Sequence, residues 1–312
     1  MKNTFTPKIL GLLLLVCAMA FAGTYMTPLL MLLPVVLIYL GLCAGAVFTA
    51  LGCALACAFT WLAGAQGALY GIFMFLPATL VLMVMSGNKM PHRSTVAALS
   101  LCFGTARYMY YCLPALLAGR GAFEDISLML EQVSQLYVSF GNAMGVVLPD
   151  ALPAYIADMA PQMTMIASIA PAMIFAFLNV LLLHTLGTKT QRPMRPMAPV
   201  YEWRLTRESL IGAGILAIGA IAVKMLSLKY APAITAAIEV VILGEFAFNG
   251  FCYSEFIGAK VLGQSTTRRV LRYAFYILLM PYSLILLGVM GLTDCAFSMR
   301  ARFTAPPKPP KE

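Results

Sequence analysis

The chain alternates long apolar runs with short polar segments, and this pattern predicts membrane-spanning helices. Such a helix needs about 20 mostly apolar residues, because no water inside the bilayer can satisfy exposed backbone groups. Continuous apolar runs also exclude an outer-membrane barrel, whose strands would appear as short alternating segments. Seven runs meet the length requirement: 44–63, 67–86, 95–118, 164–187, 209–228, 232–257 and 269–292.

The first 42 residues are long enough for two further, shorter helices, broken around Thr27–Pro28. Lys2, Lys8 and the apolar stretch up to Ala22 resemble a secretory signal peptide. A second apolar segment follows after only a few residues, so we interpret the start as an uncleaved first helix, with cleavage as the alternative. The sequence therefore predicts an all-α fold, a polytopic transmembrane bundle with about eight to nine spans.

Positive charge orients the chain, because cytoplasmic loops of membrane proteins carry an excess of Lys and Arg. The segment 119–163 holds five acidic residues against a single Arg120 and is predicted to lie outside. This arrangement places the N-terminus in the cytoplasm. A single crossing after Arg272 would place the cations from Arg300 onward outside, against this rule. Either the last run bends at Pro281 and returns to the cytoplasmic side, or the charge rule is weak at this end. The basic segments are the Lys89–Arg93 loop, the loop 188–208 and the segment 260–272.

We predict one membrane-embedded domain over residues 1–304, followed by a disordered Pro/Lys tail over 305–312. Within the external segment 119–163, apolar residues from Ile126 to Phe140 recur at helical spacing and predict an amphipathic helix. This helix would be either a docked connector or a lid over an outward-facing cavity.

The composition excludes several classes of protein. Hydrophobic residues make up 61% of the 312 residues and charged residues only 11%, which excludes a soluble enzyme, a disordered chain and a coiled coil. The net charge of +9 lies in loops beside apolar runs, so we expect a lipid bilayer and no nucleic acid as partner. With two His, no Cys-x-x-Cys pair and no nucleotide or hydrolase motif, the sequence predicts no enzyme, no cofactor and no metal.

Charged and amide side chains inside apolar runs are the candidates for a functional site, because they are costly there. Arg107, Glu239, Glu245 and Asn249 form the candidate intramembrane polar site. Glu245 and Asn249, four residues apart, would share a helix face, and Arg107 is the expected counter-charge of Glu245 or Glu239. A structural ion pair between two spans explains these residues equally well.

Directly after the last apolar run stands Gly291-Leu-Thr-Asp294, followed by Arg300 six residues later. This pattern resembles the end of the YybS-like family of bacterial multispanning proteins, a domain of unknown function. Gly291, Asp294 and Arg300 match the family's motif and form a candidate C-terminal corner, either a docking corner or a helix cap with an interfacial ion pair. The family's bundle is similar to the substrate-binding membrane subunits of energy-coupling-factor importers. The cluster Glu239, Glu245 and Glu255 departs from the family's pattern.

The resemblance implies a protein of the bacterial cytoplasmic (inner) membrane and two hypotheses. In the first, the chain is a solute-binding transport subunit without its own ATPase, which depends on a coupling transmembrane subunit and ATPases. Its pocket would open outward near Arg107, Glu245 and Asn249. In the second, it is a non-enzymatic scaffold for cell-envelope, sporulation or division machinery, with the basic loop 188–208 as its docking surface.

Overall fold

The computed structural model describes most of the chain, and the described part is helical without a β-strand. By compactness the chain divides into two units, residues 1–197 and residues 198–312. The all-α prediction is confirmed, whereas the single domain over 1–304 remains a prediction beside this division. The tail 305–312 and part of the loop 188–208 lie outside the described residues. The described ranges are 7–62, 64–87, 90–149, 151–188, 190, 197–228, 230–261, 263, 265–279 and 282–304.

Eight helices lie within the described residues of the first unit, and they follow the predicted runs closely. Two helices occupy the first 42 residues, as predicted, and they meet near Thr27. The helices are α1 (Pro7–Gly23), α2 (Thr27–Ala44), α3 (Ala46–Trp61), α4 (Ala65–Ser86), α5 (His92–Leu117), α6 (Glu124–Ala143), α7 (Leu152–Asp158) and α8 (Ala160–Gly187).

The core of the first unit lies among α2, α4, α5 and α8, where large apolar side chains such as Leu33, Phe75 and Phe103 are fully buried. α2, α4 and α8 are apolar on every side, as expected for helices packed within a bundle or against lipid. A buried amide fixes one helix pair: Asn179 Nδ2 on α8 donates to the carbonyl oxygen of Met31 on α2 at 2.8 Å. Removing it would leave that carbonyl without this donor in an apolar core.

The amphipathic helix predicted for the external segment is present as α6. It packs on α7 and α8 through one side, where Ser134 is buried. Most of its large apolar residues are exposed, among them Leu136 at 69% and Phe140 at 65%. An exposed apolar face on an otherwise polar helix is typical of a helix that lies at the membrane surface.

The described residues of the second unit form five α-helices, a 3₁₀ turn at Val200–Glu202 and one π-helical turn. The predicted single run 269–292 is wrong: two helices, α11 and α12, take its place. α11 carries Arg268, Arg269 and Arg272 and is only 13 residues long, too short and too charged to cross a bilayer. The helices are α9 (Arg207–Met225), α10 (Ala231–Phe256), α11 (Thr266–Leu278), α12 (Tyr282–Phe297) and α13 (Met299–Thr304), and the π turn is Ile257–Val261.

Five of the described helices are long and apolar enough to cross a membrane, and three apolar helices are shorter. The predicted number of eight to nine spans is therefore approximate. α5, predicted as a span over 95–118, is long enough at 26 residues but is more polar, since it carries Arg107 and several tyrosines. The five long helices are α2, α4, α8, α9 and α10 with its π turn; the shorter ones are α1, α3 and α12.

Candidate functional site

In the second unit, the structure brings together one member of the predicted intramembrane site and all three members of the predicted C-terminal corner. Asn249 lies on α10, Gly291 and Asp294 on α12, and Arg300 on α13. All four are buried. Hydrogen bonds and an ion pair connect them, and we call this group the buried corner.

The buried corner depends on the close approach of α10 and α12. The two helices cross at Gly250 and Gly291, where a methyl group on either residue would overlap a backbone carbonyl of the facing helix. A methyl on Gly291 would lie 2.6 Å from the amide nitrogen of Gly250 and 2.8 Å from the carbonyl carbon of Phe246. Only glycine permits this backbone contact, because any Cβ would occupy the same space.

Arg300 is the centre of the buried corner. Its Nε lies 2.9 Å from Asp294 Oδ2, so the charge of the guanidinium is matched inside the protein. Its Nη1 donates to the carbonyl oxygens of Tyr201 at 2.8 Å and Trp203 at 2.6 Å. The planar fork of arginine supplies several donors at fixed angles, which suits a site that joins several backbone segments.

Asn249 completes the network through both atoms of its amide. Nδ2 donates to the carbonyl oxygen of Gly291 at 2.8 Å, and Oδ1 accepts from the amide of Leu205 at 3.1 Å. Oδ1 also lies 3.3 Å from Arg300 Nη2. Because these polar groups face one another and are buried, the buried corner acts as a structural clamp on the segment 201–205.

The last apolar helix ends slightly later than the predicted run 269–292. α12 continues one turn past Asp294 to Phe297, and the bend follows at Ser298, whose φ of 51° is left-handed. The backbone amide of Arg300, in the first turn of α13, donates to Asp294 Oδ1 at 3.3 Å. The aspartate therefore stabilises the start of the next helix in addition to pairing with the guanidinium.

The glutamates of the predicted intramembrane site do not join the buried corner. Glu239 and Glu245 are exposed on α10, whereas Asn249 is 1% exposed. The structure therefore does not bring Glu245 into the buried corner beside Asn249, and their common polar pocket stays a prediction. Four residues advance a helix by about 400°, and the resulting offset of about 40° is enough to separate an inward from an outward side chain.

Arg107 lies on α5 of the first unit, ten residues before the end of the helix. At 1.5 Å per residue this is about 15 Å, half the thickness of the hydrocarbon core. Its Nε donates to the carbonyl oxygen of Ala167 on α8 and its Nη2 to the hydroxyl of Tyr111, both at 2.9 Å. The rings of Tyr70 and Tyr110 contact each other nearby in a tilted arrangement, with centroids 4.2 Å apart. The predicted pairing of Arg107 with Glu245 or Glu239 remains a prediction.

A second buried carboxylate was not among the sequence candidates. Glu255, near the end of α10, is 2% exposed and forms ion pairs with Arg269, at 2.9 Å, and with Arg272. Arg269 also donates to the Tyr273 hydroxyl at 2.9 Å, and this hydrogen bond is the main reason why the pKa of Arg269 is raised. The sequence signal was the three arginines of α11, which the interpretation as a membrane span obscured.

Two open pockets adjoin the buried corner, and Arg204 and Arg300 line both. The larger has a volume of about 310 Å³ and the smaller about 230 Å³. The walls of the larger pocket are Tyr201, Glu202, Arg204, Phe256, Lys260 and Arg300. Within the described residues, no three His, Cys, Asp or Glu side chains lie close enough together to hold a metal ion.

Comparison with known families gives a match over almost the whole chain. The family model described as "Predicted membrane protein (DUF2232)" matches residues 11–295. No curated protein and no solved structure matches the chain.

Proposed function

The chain belongs to the DUF2232 family of predicted membrane proteins, and from this premise we propose that it is a solute-binding transport subunit without its own ATPase. The proposed site is the Arg107 cluster, which we define as Arg107, Tyr70, Tyr110 and Tyr111. It would bind a solute that carries a carboxylate or another anionic group.

One observation carries this proposal: the hydrogen bonds of Arg107 go to a backbone carbonyl and a phenol, both neutral. A cation at this depth of a bilayer is costly and needs an anion, so ionisable residues inside a membrane are functional candidates by default. A bound carboxylate would accept from the guanidinium fork, and the tyrosine rings would contact the rest of the solute.

The proposed membrane, orientation and energy source of the protein rest on the resemblance to energy-coupling-factor subunits. The protein would lie in a bacterial inner membrane with its N-terminus in the cytoplasm, and α6 would lie on the outer side. A separate transmembrane subunit and ATPases would supply the energy, because the sequence contains no nucleotide-binding motif.

The test uses full-length protein in lipid nanodiscs and a panel of anionic solutes, with melting temperature as the first measurement and calorimetric titration for each hit. We expect at least one carboxylate to stabilise the wild type, and Arg107→Ala to lose that effect. Arg93→Ala is the matched control, because Arg93 is exposed at the start of the same helix. Equal stabilisation of Arg107→Ala and wild type would contradict the site.

The scaffold hypothesis is the second candidate, and the buried corner favours it. Arg300 fixes the backbone of Tyr201 and Trp203, and so presents the following basic residues in one conformation. A fixed basic surface on the cytoplasmic side suits docking of an acidic partner.

Affinity purification from native membranes, followed by mass spectrometry, separates the two candidates. Recovery of a coupling ATPase supports the transport subunit, whereas recovery of division or envelope proteins supports the scaffold. In the second case, charge reversal at Arg207 should release the partner and Arg107→Ala should not.

A further inference from the structure

The larger pocket beside the buried corner has a wall that is fixed before any ligand binds. Arg300 is 7% exposed and lines the pocket while Asp294 and two carbonyl oxygens hold its guanidinium. Phe256, 6% exposed, and Tyr201 supply apolar surface beside it. A preorganised polar wall lowers the cost of binding, because the ligand does not have to order it.

The exposed cations of the pocket are two residues on different segments, Arg204 and Lys260. Arg204 precedes α9, and Lys260 lies in the π turn after α10. The Lys260 ammonium packs over the Tyr201 ring, 5.7 Å from its centroid, which directs it along the pocket wall. π-helical turns occur often at functional sites, because they reorient a side chain at the end of a regular helix.

The charges that line the pocket leave an excess of about one positive charge. Arg300 is matched by Asp294 in the buried corner, and Glu202 on the rim offsets one of the two remaining cations. A phosphodiester carries one negative charge, so the pocket and such a group are complementary. Arginine binds phosphate oxygens through its fork, and lysine binds them as a point charge.

The position of the pocket along the chain indicates the source of the phosphate. Except for Arg300 on α13, its residues lie just before α9 or at the end of α10 and its π turn, and both helices are long and apolar enough to span a membrane. The ends of spans lie at the level of the lipid headgroups, where aromatic side chains and cations concentrate. The positive charge of these segments predicts the cytoplasmic leaflet, whose lipids include anionic ones.

We propose that this pocket binds the phosphate group of an anionic phospholipid of the cytoplasmic leaflet. Arg204 and Lys260 contact the phosphate oxygens, Arg300 supplies the fixed wall, and Tyr201 and Phe256 contact the glycerol and upper acyl atoms. This site is separate from the Arg107 cluster, and its test does not depend on the transport proposal.

The experiment is native mass spectrometry of the full-length, delipidated protein in detergent, titrated with phosphatidylglycerol. The probe variant is Arg204→Gln with Lys260→Gln, which leaves the buried corner intact. The matched control removes two other exposed cations of the same unit, Arg268→Gln with Arg302→Gln, neither of which lines the pocket. We expect the probe variant to bind phosphatidylglycerol about 25-fold more weakly, at about fivefold for each cation, and the control to bind as the wild type does.

Three results would overturn the proposal: an unchanged affinity of the probe variant, an equal loss in the control variant, or equal binding of zwitterionic phosphatidylcholine. A further arm measures inorganic phosphate alone by thermal shift. If inorganic phosphate binds as tightly as phosphatidylglycerol, the pocket is a site for free phosphate and the lipid is not its ligand. Weaker binding of free phosphate supports the lipid, because the aromatic walls then contribute to affinity.

Discussion

Substitution of Gly291 by alanine tests whether the crossing of α10 and α12 holds the buried corner together. Ordinary contact with a Cβ begins at 3.4 Å, whereas the new methyl would lie 2.6 Å from the Gly250 amide nitrogen. The helices would have to part by the difference, at least 0.8 Å. The 2.8 Å hydrogen bond from Asn249 to the Gly291 carbonyl would then lengthen to about 3.6 Å and be lost.

These two effects give the magnitude of the destabilisation. Overpacking against rigid backbone costs up to about 3 kcal/mol, and loss of a buried hydrogen bond costs about 1 kcal/mol. We expect a free-energy loss of about 3 kcal/mol, which lowers the melting temperature of a unit of this size by about 10 °C. The measurement is thermal unfolding followed by intrinsic fluorescence in detergent, where Trp203 beside the corner is a reporter.

Two other glycines of the same unit provide graded controls. A methyl on Gly212 would meet no atom within 4 Å, so Gly212→Ala should be neutral or slightly stabilising. A methyl on Gly288 would lie 3.0 Å from a flexible Leu243 side chain, so Gly288→Ala should fall between the two. Melting of Gly291→Ala within about 2 °C of wild type, or a reversed order of Gly288 and Gly212, would refute the reasoning. The second comparison applies even if Gly291→Ala does not fold.

Three further predictions concern other residues. Glu255→Gln should destabilise the second unit by about 3 kcal/mol, because it leaves two arginines without their buried carboxylate; urea unfolding measures this, and the exposed Glu208→Gln should have little effect. Asn249→Ala should lower the free energy of unfolding by about 2 kcal/mol, because two hydrogen bonds are lost. A melting temperature equal to that of wild type would contradict the role of the buried corner as a clamp. In a background without native cysteines, a membrane-impermeant maleimide should label Ser139→Cys in intact cells and Arg204→Cys only after permeabilisation, and the opposite result would reverse the predicted orientation.

Several helices could be located from the apolar pattern alone. The runs 67–86 and 232–257 match α4 and α10 to within two residues at each end, because continuous apolar sequence leaves the backbone no alternative to a helix in lipid. The amphipathic spacing of 126–140 likewise located α6. The pattern failed at 269–292, where the apolar character of α12 and the aromatic residues of α11 merged into one apparent span.

Small residues were a weaker guide than apolar ones. Gly212, Gly214 and Gly219 lie close together on α9, yet a methyl on any of them would meet no atom within 4 Å. The close contact occurs instead at Gly250 and Gly291, which are 41 residues apart in the chain. Gly291 belongs to the C-terminal motif, but nothing in the sequence paired it with Gly250. Which glycine approaches another backbone depends on which helix faces it, and periodicity contains no such information.

The apolar pattern was sufficient to predict the all-α membrane fold and the residue types that would be costly to bury. It also selected Asn249, Gly291, Asp294 and Arg300, but as members of two separate candidate sites. Only the tertiary structure joined them, and only it left Glu245 exposed and buried Glu255 between arginines of α11. The physical reason is that hydrophobicity and helical period are local properties, whereas a buried charge is stable only where the fold brings its partner to it.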